Sequence, residues 1–228
     1  MKRNQDWWIK AYQQQGALWI HDGNPSRPHA ELTSGKHSDG FFNSRLVIPD
    51  NLLMQFAATD LVNLYIAGGG SFELIDRVVG PQTGATKLAK FIAVEISARS
   101  NRLCQFSSPE KQGEGADKRM TFSDRDREQL PGELVLLCED VITTGGSVDL
   151  TAKACLEVGA RVQPYVLVLV NRSGLEQEGD RSILALIDRP MPMWLPEDCP
   201  LCKQGSKALR PKDNWAALNA DYQSATTG

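Results

Sequence analysis

Short apolar runs alternate through the middle of the chain with longer segments in which apolar residues recur every three or four positions. Unbroken apolar runs are typical of strands buried on both faces, whereas the longer spacing is typical of amphipathic helices. The pattern predicts strands at residues 77–79, 102–106, 133–138, 162–170 and 182–187. It predicts helices at residues 6–18, 50–67, 86–99 and 147–158. This alternation predicts an α/β fold with a parallel sheet core flanked by helices.

One long polar segment interrupts the alternation. Residues 107–132 carry few apolar side chains and several glycines. A polar insert of this length inside a compact domain is usually a functional loop or a disordered segment. We therefore interpret residues 107–128 as a mobile loop that covers a binding site and excludes water from it.

Composition narrows the range of functions. The chain has 228 residues, 41% hydrophobic and 23% charged, which suits one globular domain or a domain with a small flap. Its net charge of −3 argues against a nucleic-acid partner held by bulk charge. No apolar run approaches the ~20 residues of a membrane span. Five cysteines, without a secretory signal, favour the reducing cytoplasm.

The sharpest chemical signal is a predicted strand that leads into two carboxylates, Glu139 and Asp140, and then into a Gly-rich loop. The loop residues are Thr143, Thr144, Gly145, Gly146 and Ser147. Glycines let backbone N–H groups turn toward a ligand, hydroxyls add donors, and the N-terminus of the following helix favours an anion. The carboxylates can accept hydrogen bonds from vicinal hydroxyls, so the pattern describes a site for a ribose 5-phosphate. The alternative is purely structural, with the acids ending a strand and the hydroxyls capping a helix.

Residues 139–147 resemble the phosphoribosyl-pyrophosphate (PRPP) signature of type I phosphoribosyltransferases. Further segments resemble the orotate branch of that family. Residues 32–43 resemble its N-terminal motif, and residues 80–84 lie where it has a pyrophosphate loop. Residues 111–115 resemble the centre of its mobile catalytic loop, and residues 171–172 lie where it has an Asp-Arg pair. The resemblance covers roughly residues 32–189. It implies the type I phosphoribosyltransferase fold, with a core at residues 49–190 and a small hood made by residues 1–48. Residues 191–228 are a candidate second part of the hood.

The resemblance also implies a reaction and its partners. PRPP, carried with Mg²⁺, would transfer its phosphoribosyl group to orotate, giving orotidine 5′-monophosphate and pyrophosphate. The enzyme is expected to be a homodimer whose mobile loop reaches the neighbouring active site, with no resident metal and no nucleic-acid or membrane partner. Glu139 and Asp140 would hold the ribose hydroxyls, residues 143–147 would bind the phosphate, and Lys111 and Glu114 would act from the mobile loop.

The remaining predicted contacts concern the pyrophosphate and the base. By the same resemblance, the pyrophosphate loop contributes Gln82, Thr83 and Gly84. The base would be gripped by backbone contacts and a stacking wall from Phe41 and Phe42. Arg172 would pair with the carboxylate of orotate through a bidentate interaction. The sequence leaves core packing open as the alternative for one of the two phenylalanines, and a surface position as the alternative for Arg172.

Three positions depart from the family pattern. Glu110 lies where the family has its loop lysine, Gln112 where it has a histidine, and Asn171 where it has the Asp of the Asp-Arg pair. The pyrophosphate could instead meet another cation of the same segment: Lys111, Lys118 or Arg119. The open alternatives are weak activity, a different base, or a non-catalytic regulator that binds PRPP.

A single Cys-x-x-Cys pair, Cys199 and Cys202, lies near the end of the chain. Zinc sites usually need two such pairs or additional histidines. The histidines of this chain are His21, His29 and His37, far away in sequence. The pair therefore predicts either a turn held by packed cysteines or a zinc site that ties the tail to the N-terminal region.

Overall fold

A six-stranded sheet with helices on both faces forms the centre of the structure, a computed structural model that describes residues 3–221. The helices are α1 (Gln5–Gln14), α2 (Asn51–Ala67), α3 (Thr86–Ser100), α4 (Asp124–Gln129), α5 (Gly146–Glu157), α6 (Pro200–Lys203) and α7 (Pro211–Leu218), with 3₁₀ turns at Ser44–Leu46 and Gly115–Asp117. The strands are β1 (Leu18–Ile20), β2 (His29–Glu31), β3 (His37–Ser38), β4 (Gly40–Phe42), β5 (Arg77–Val79), β6 (Gln105–Ser107), β7 (Glu110–Gln112), β8 (Arg119–Thr121), β9 (Leu134–Ile142), β10 (Arg161–Asn171), β11 (Gln177–Glu178), β12 (Arg181–Asp188) and β13 (Ala208–Leu209).

The main sheet has the strand order β11-β12-β10-β9-β5-β6, and all neighbouring pairs except β11–β12 are parallel. Helices α1, α2 and α3 cover one face, where they bury Leu136 and Cys138 of β9. Helix α5 covers the other face, over Val135 and Leu137 of the same strand. Because both faces are covered, this part of the strand is apolar at every position, as its sequence predicted.

The predicted α/β architecture is confirmed, and so are the predicted helices around residues 50–67, 86–99 and 147–158. Helix α2 begins as expected, because the Asp50 carboxylate accepts hydrogen bonds from the backbone N–H groups of Leu52 and Leu53 at 2.8 and 3.0 Å. The helix predicted at residues 6–18 is shorter and ends at Gln14. Gly16 adopts a left-handed conformation (φ +61°) there and turns the chain into β1.

Two further boundaries differ from the prediction. The strand predicted at 133–138 continues to Ile142, because β9 keeps pairing with β10 through the Ile142–Asn171 register. The polar segment predicted as a mobile loop is folded into the antiparallel hairpin β7–β8, a 3₁₀ turn and helix α4. It does so because Met120 and Phe122, two of its few apolar residues, are buried against the α5 side of the sheet.

A second, three-stranded sheet of order β13-β2-β3 joins the two ends of the chain. Strand β13 pairs in parallel with β2, and the backbone of His37 in β3 bridges to Trp194. We call this sheet, together with α6, α7 and the β1–β4 pair, the hood. Its small apolar cluster is centred on Trp19, Ala30 and Leu218. Helix α1 packs against β12 of the main sheet and also against β1 of the hood.

The division into an N-terminal segment at 1–48, a core at 49–190 and a C-terminal segment at 191–228 stays a prediction. Residues 1, 2 and 222–228 of these segments lie outside the described residues. Among residues 3–221, no helix is both long enough and apolar enough to cross a membrane.

Candidate active site

The predicted site residues at 82–84, 139–147 and 172 gather at the carboxyl ends of β5, β9 and β10, three adjacent strands of the main sheet. The backbone N–H of Arg172 donates to the carbonyl oxygen of Ile142 at 2.9 Å, which brings the ends of β9 and β10 together. Ligands of parallel α/β sheets bind beyond this edge. The site therefore lies where the fold class predicts it.

Glu139 and Asp140 lie near the carboxyl end of β9, within the strand. The Glu139 carboxylate is buried, and its Oε1 accepts a hydrogen bond from the backbone N–H of Asp140 at 3.0 Å. Asp140 is partly exposed, and its Oδ1 accepts from the backbone N–H of Val141 at 2.9 Å. Burial raises the pKa of Glu139 well above its usual value, and the neighbouring Asp140 raises it further. Hydrogen bonds from ligand hydroxyls would favour the charged form of Glu139 and so oppose this rise in its pKa.

The loop after β9 has the geometry of an anion cradle. Gly145 is the N-cap of α5 with φ +83°, a left-handed conformation that favours glycine. Among the described residues, the backbone N–H groups of Gly146 and Ser147 have no hydrogen-bond acceptor. Free N–H groups at the N-terminus of a twelve-residue helix attract an anion.

The predicted pyrophosphate loop follows β5 and packs on the acid pair. A Cβ at Gly84 would lie 2.7 Å from Cγ and Oδ2 of Asp140, so the backbone of this loop touches the carboxylate. The peptide bond between Gln82 and Thr83 is cis. The Gln82 backbone N–H donates to the carbonyl oxygen of Pro109 at 2.9 Å. This loop thereby connects the acid pair to the base of the β7–β8 hairpin.

In the hairpin, Lys111 lies on the same face as a buried residue, although its own side chain is exposed. Lys111 lies opposite Met120, and directly opposed residues of a hairpin share one face. Met120 is buried on the α5 side of the sheet, and Lys111 is close enough to Glu139 to lower the pKa of that carboxyl. Arg119 lies opposite Gln112, on the other face of the hairpin.

Glu114 is not brought to the acid pair. It is exposed at the N-cap of the 3₁₀ turn after β7. No hydrogen bond or ion pair joins it to Glu139 or Asp140 in the part of the chain that the structure describes. Its predicted role in the reaction stays a prediction.

Arg172 is buried beside the hood, so its alternative as a surface residue is wrong. Its Nη1 donates to the carbonyl oxygen of Gly40 at 3.0 Å, and its Nη2 donates to Ser38 Oγ at 2.7 Å. Its Nε is buried and has no hydrogen-bond partner within residues 3–221. Burial lowers the pKa of Arg172 to about 10, and the negative charge of Asp39 raises it by a smaller amount. A buried guanidinium with a free N–H is one half of an anion-binding pair.

The two predicted phenylalanines point in different directions from β4. The Phe42 ring is buried against Tyr12, with centroids 5.4 Å apart and an angle of 83° between the rings. This is core packing, so the Phe42 ring cannot form a stacking wall and only its backbone is left for a ligand. The Phe41 ring is partly exposed and packs against Trp215 at 6.0 Å. It lines a cleft of about 210 Å³ together with Thr33, Arg45 and Arg210.

Three residues make contacts at the site that were not predicted from the sequence. Asn171, which replaces the expected Asp, holds a turn, since its Nδ2 donates to the carbonyl oxygen of Leu175 at 2.8 Å and to Asp188 Oδ1 at 3.0 Å. Ser38 orients Arg172, and its place in the N-terminal motif was a signal that could have found it. The Glu178 carboxylate lies so close to Gly145 that no Cβ fits between them. Nothing in the sequence pattern pointed to Glu178.

Comparisons with known proteins agree with this geometry. Residues 68–192 match the family model of the phosphoribosyl transferase domain. The chain is 31% identical over 215 residues to an orotate phosphoribosyltransferase of a Nitratiruptor species, covering 89% of this chain and 96% of the relative. It is 33% identical to an orotate phosphoribosyltransferase of Heliobacterium modesticaldum, covering 80% of this chain and 88% of the relative.

Solved structures share the fold at lower sequence identity. The orotate phosphoribosyltransferase of Aeropyrum pernix superposes with a TM-score of 0.53 at 23% identity, covering 78% of this chain and 91% of that one. The adenine phosphoribosyltransferase of Saccharomyces cerevisiae superposes with a TM-score of 0.54 at 15% identity, covering 78% of this chain and 99% of that one. Since relatives with different bases have the same fold, the choice of base must come from the site residues.

Proposed function

Because this chain belongs to the phosphoribosyl transferase family, and within it to the orotate phosphoribosyltransferases, we propose that it transfers the phosphoribosyl group of PRPP to orotate. The bond between the anomeric carbon and the pyrophosphate oxygen breaks, and a bond from that carbon to a ring nitrogen of orotate forms. The products are orotidine 5′-monophosphate and pyrophosphate.

The observation that carries the choice of orotate is the buried guanidinium of Arg172. Two of its nitrogens are held by Gly40 and Ser38, while Nε has no partner among the described residues. A buried cation with a free donor is costly unless a ligand anion completes it. Orotate carries a carboxylate, whereas uracil and adenine do not. The carboxylate would accept hydrogen bonds from Nε and from the second N–H of Nη2.

The remaining predicted residues fit the PRPP half of the reaction. The free N–H groups of Gly146 and Ser147, with the hydroxyls of Thr143 and Thr144, would hold the 5-phosphate. Glu139 and Asp140 would accept hydrogen bonds from the ribose hydroxyls and stabilise positive charge that develops at the anomeric carbon. Mg²⁺ arrives as part of the substrate, bound to PRPP. The carboxylate oxygens of the acid pair are hard donors that suit this ion.

Lys111 is the cation of the hairpin that best fits the departing pyrophosphate. It lies on the face of β7 that it shares with Met120, close enough to Glu139 to lower the pKa of that carboxyl. A lysine here would offset the charge of the leaving group, which is the task that the unmatched residues Glu110 and Gln112 cannot perform. Arg119, on the opposite face, is less suited to it.

We further propose that the protein is a cytoplasmic homodimer, in line with its family resemblance. None of its five cysteines forms a disulfide, which fits a reducing compartment. Whether the hairpin serves its own chain or a partner is open to test by mixing inactive Lys111→Ala and Asp140→Ala chains. Restored activity would mean that the hairpin of one subunit reaches the site of the other.

The deciding experiment compares orotate with uracil in a pyrophosphate-release assay with PRPP and Mg²⁺. We expect kcat/KM for orotate to exceed that for uracil by roughly 10–100-fold, since a charge-assisted pair contributes about 1.5–3 kcal/mol. In Arg172→Gln the preference should shrink while the KM for PRPP changes by less than about 3-fold. Turnover of uracil or a purine in preference to orotate would refute the proposal, and so would PRPP binding without pyrophosphate release for any base.

A further inference from the structure

Four metal-ligating side chains converge inside the hood, away from the candidate active site. Their ligand atoms, from His29, His37, Cys199 and Cys202, all lie within 4.8 Å of one another. Three of the four residues are buried, and Cys202 is partly exposed. We propose that this cluster binds one Zn²⁺ ion with a structural role.

The separations between the ligand atoms are close to those around a tetrahedral ion, with the two that involve His37 slightly shorter. His29 Nε2 lies 3.0 Å from His37 Nδ1, 3.6 Å from Cys199 Sγ and 3.5 Å from Cys202 Sγ. Cys202 Sγ lies 3.2 Å from His37 Nδ1. Tetrahedral zinc has bonds of about 2.0–2.3 Å to nitrogen and sulfur, which places its ligand atoms roughly 3.3–3.8 Å apart. Two thiolates and two imidazoles are a ligand set that zinc prefers.

The hydrogen bonds around His29 fix the tautomer that a metal needs. Ser206 Oγ donates its single hydrogen to the carbonyl oxygen of Arg27 at 2.6 Å. At its 2.8 Å contact with His29 Nδ1 it must therefore accept, so the ring proton of His29 is on Nδ1. Nε2 then carries the free lone pair, and Nε2 is the atom that faces the two cysteines and His37. Metal-binding histidines are typically held by such a partner on their other nitrogen.

The four ligands come from both ends of the chain. His29 and His37 are on β2 and β3, whereas Cys199 precedes α6 and Cys202 lies within it. A zinc ion would therefore join the same two segments that the β13–β2 pairing joins. His21, the third histidine, is not part of the cluster, because its nitrogens contact the carbonyl oxygen of Arg27 and the backbone N–H of Gly23.

The proposed zinc site is connected to Arg172 of the candidate active site. His37 directly precedes Ser38, whose Oγ accepts from Arg172 and donates to the carbonyl oxygen of Pro192 at 2.7 Å. With four protein ligands and little exposure, the ion would have no open coordination position for a substrate. Its role would be to hold β3, and through Ser38 the guanidinium of Arg172, in place.

The test is metal analysis of the full chain purified under reducing conditions without chelators. We expect about one zinc per chain by mass spectrometry, and a visible Co²⁺ spectrum of tetrahedral, thiolate-bound type after metal exchange. Cys199→Ser and Cys202→Ser should each lose most of the zinc, whereas Cys104→Ser, at a buried cysteine outside the cluster, should keep it.

Ser206→Ala covers the case in which a cysteine variant does not fold, because it retains all four ligands. It should bind zinc roughly 10–100-fold more weakly in competition with a chelator. Far less than one zinc per reduced chain after incubation with Zn²⁺ would overturn the proposal, as would a Cys199–Cys202 disulfide that persists in reductant, or equal zinc loss in Cys104→Ser. These readouts measure metal and not turnover, so they are independent of the proposed transferase activity.

Discussion

At the scale of single residues, the site keeps two charged groups in surroundings that do not suit them. Glu139 is buried next to another carboxylate, and Arg172 is buried with a free Nε. Neither arrangement helps the empty protein to fold. In the proposed reaction, ribose hydroxyls and an anionic base would supply the missing partners and make both arrangements favourable. Unfavourable burial of this kind, concentrated at the ends of β9 and β10, is typical of a binding site.

Glu139→Gln should therefore stabilise the fold while it removes activity. An acid whose folded pKa is raised costs no stability below its unfolded pKa of about 4.5, and the cost grows as the pH rises through the folded pKa. The variant should gain on the order of 1 kcal/mol in the free energy of unfolding at pH 7 and nothing near pH 4. Urea unfolding at both pH values measures this. Equal gains at the two pH values would contradict the assigned cause.

Gly84→Ala should separate binding from folding. Its Cβ would lie 2.7 Å from the Asp140 carboxylate, so either the pyrophosphate loop or Asp140 must move. We expect kcat/KM for PRPP to fall at least ~10-fold, since the displaced groups are ones that we propose to bind PRPP. The control is Gly68→Ala, where φ is −78° and the nearest atom would be at 3.4 Å. If the two variants had the same kinetics, the close approach at Gly84 would be unimportant for binding.

At the scale of elements, local sequence predicted most of the main sheet and the phosphate loop. Apolar runs and the Asp50 cap depend on neighbouring residues, so they can be read from the chain. The extension of β9 through Glu139 and Asp140 could not, because it depends on pairing with β10, about thirty residues later. The face of the hairpin on which Lys111 lies also depends on pairing, since it follows from the hairpin register.

The hairpin register makes a prediction about two cations in the same element. Lys111→Ala should lower kcat by roughly 10–100-fold, because its charge acts on Glu139 and, in the proposed reaction, would offset charge on the departing pyrophosphate. Arg119→Ala should change kcat by less than about 3-fold, since Arg119 faces the other way. Steady-state kinetics with saturating orotate and PRPP compares them. A larger loss in Arg119→Ala would reverse the assignment.

At the scale of the whole molecule, the two halves of the site belong to different parts of the structure. The phosphate loop and acid pair are on the main sheet, whereas Ser38 and Gly40, which hold Arg172, are in the hood. The hood needs both ends of the chain, and its core includes Trp19 and the buried Leu218. No local pattern predicts which distant strands pair. The strand order of the hood therefore could not be predicted from the sequence.

Leu218→Ala should therefore weaken the binding of the base more than the binding of PRPP. Removing a buried leucine side chain should lower the free energy of unfolding by about 2–3 kcal/mol and raise the KM for orotate more than the KM for PRPP. Leu156→Ala, at an exposed position on α5, should change stability by less than about 0.5 kcal/mol. Equal rises in both KM values would mean that the hood does not act selectively on the base side.

The parallel pairing of β13 with β2 also sets the order in which a newly made chain can be completed. The main sheet needs only residues up to Asp188, whereas β2 must wait for Ala208 and Leu209 to leave the ribosome. Domains fold as their residues emerge, N-terminal parts first. A nascent chain would thus hold a finished phosphate cradle while the guanidinium pocket was still open. Competence for the acceptor base is then acquired only after the phosphate cradle is complete.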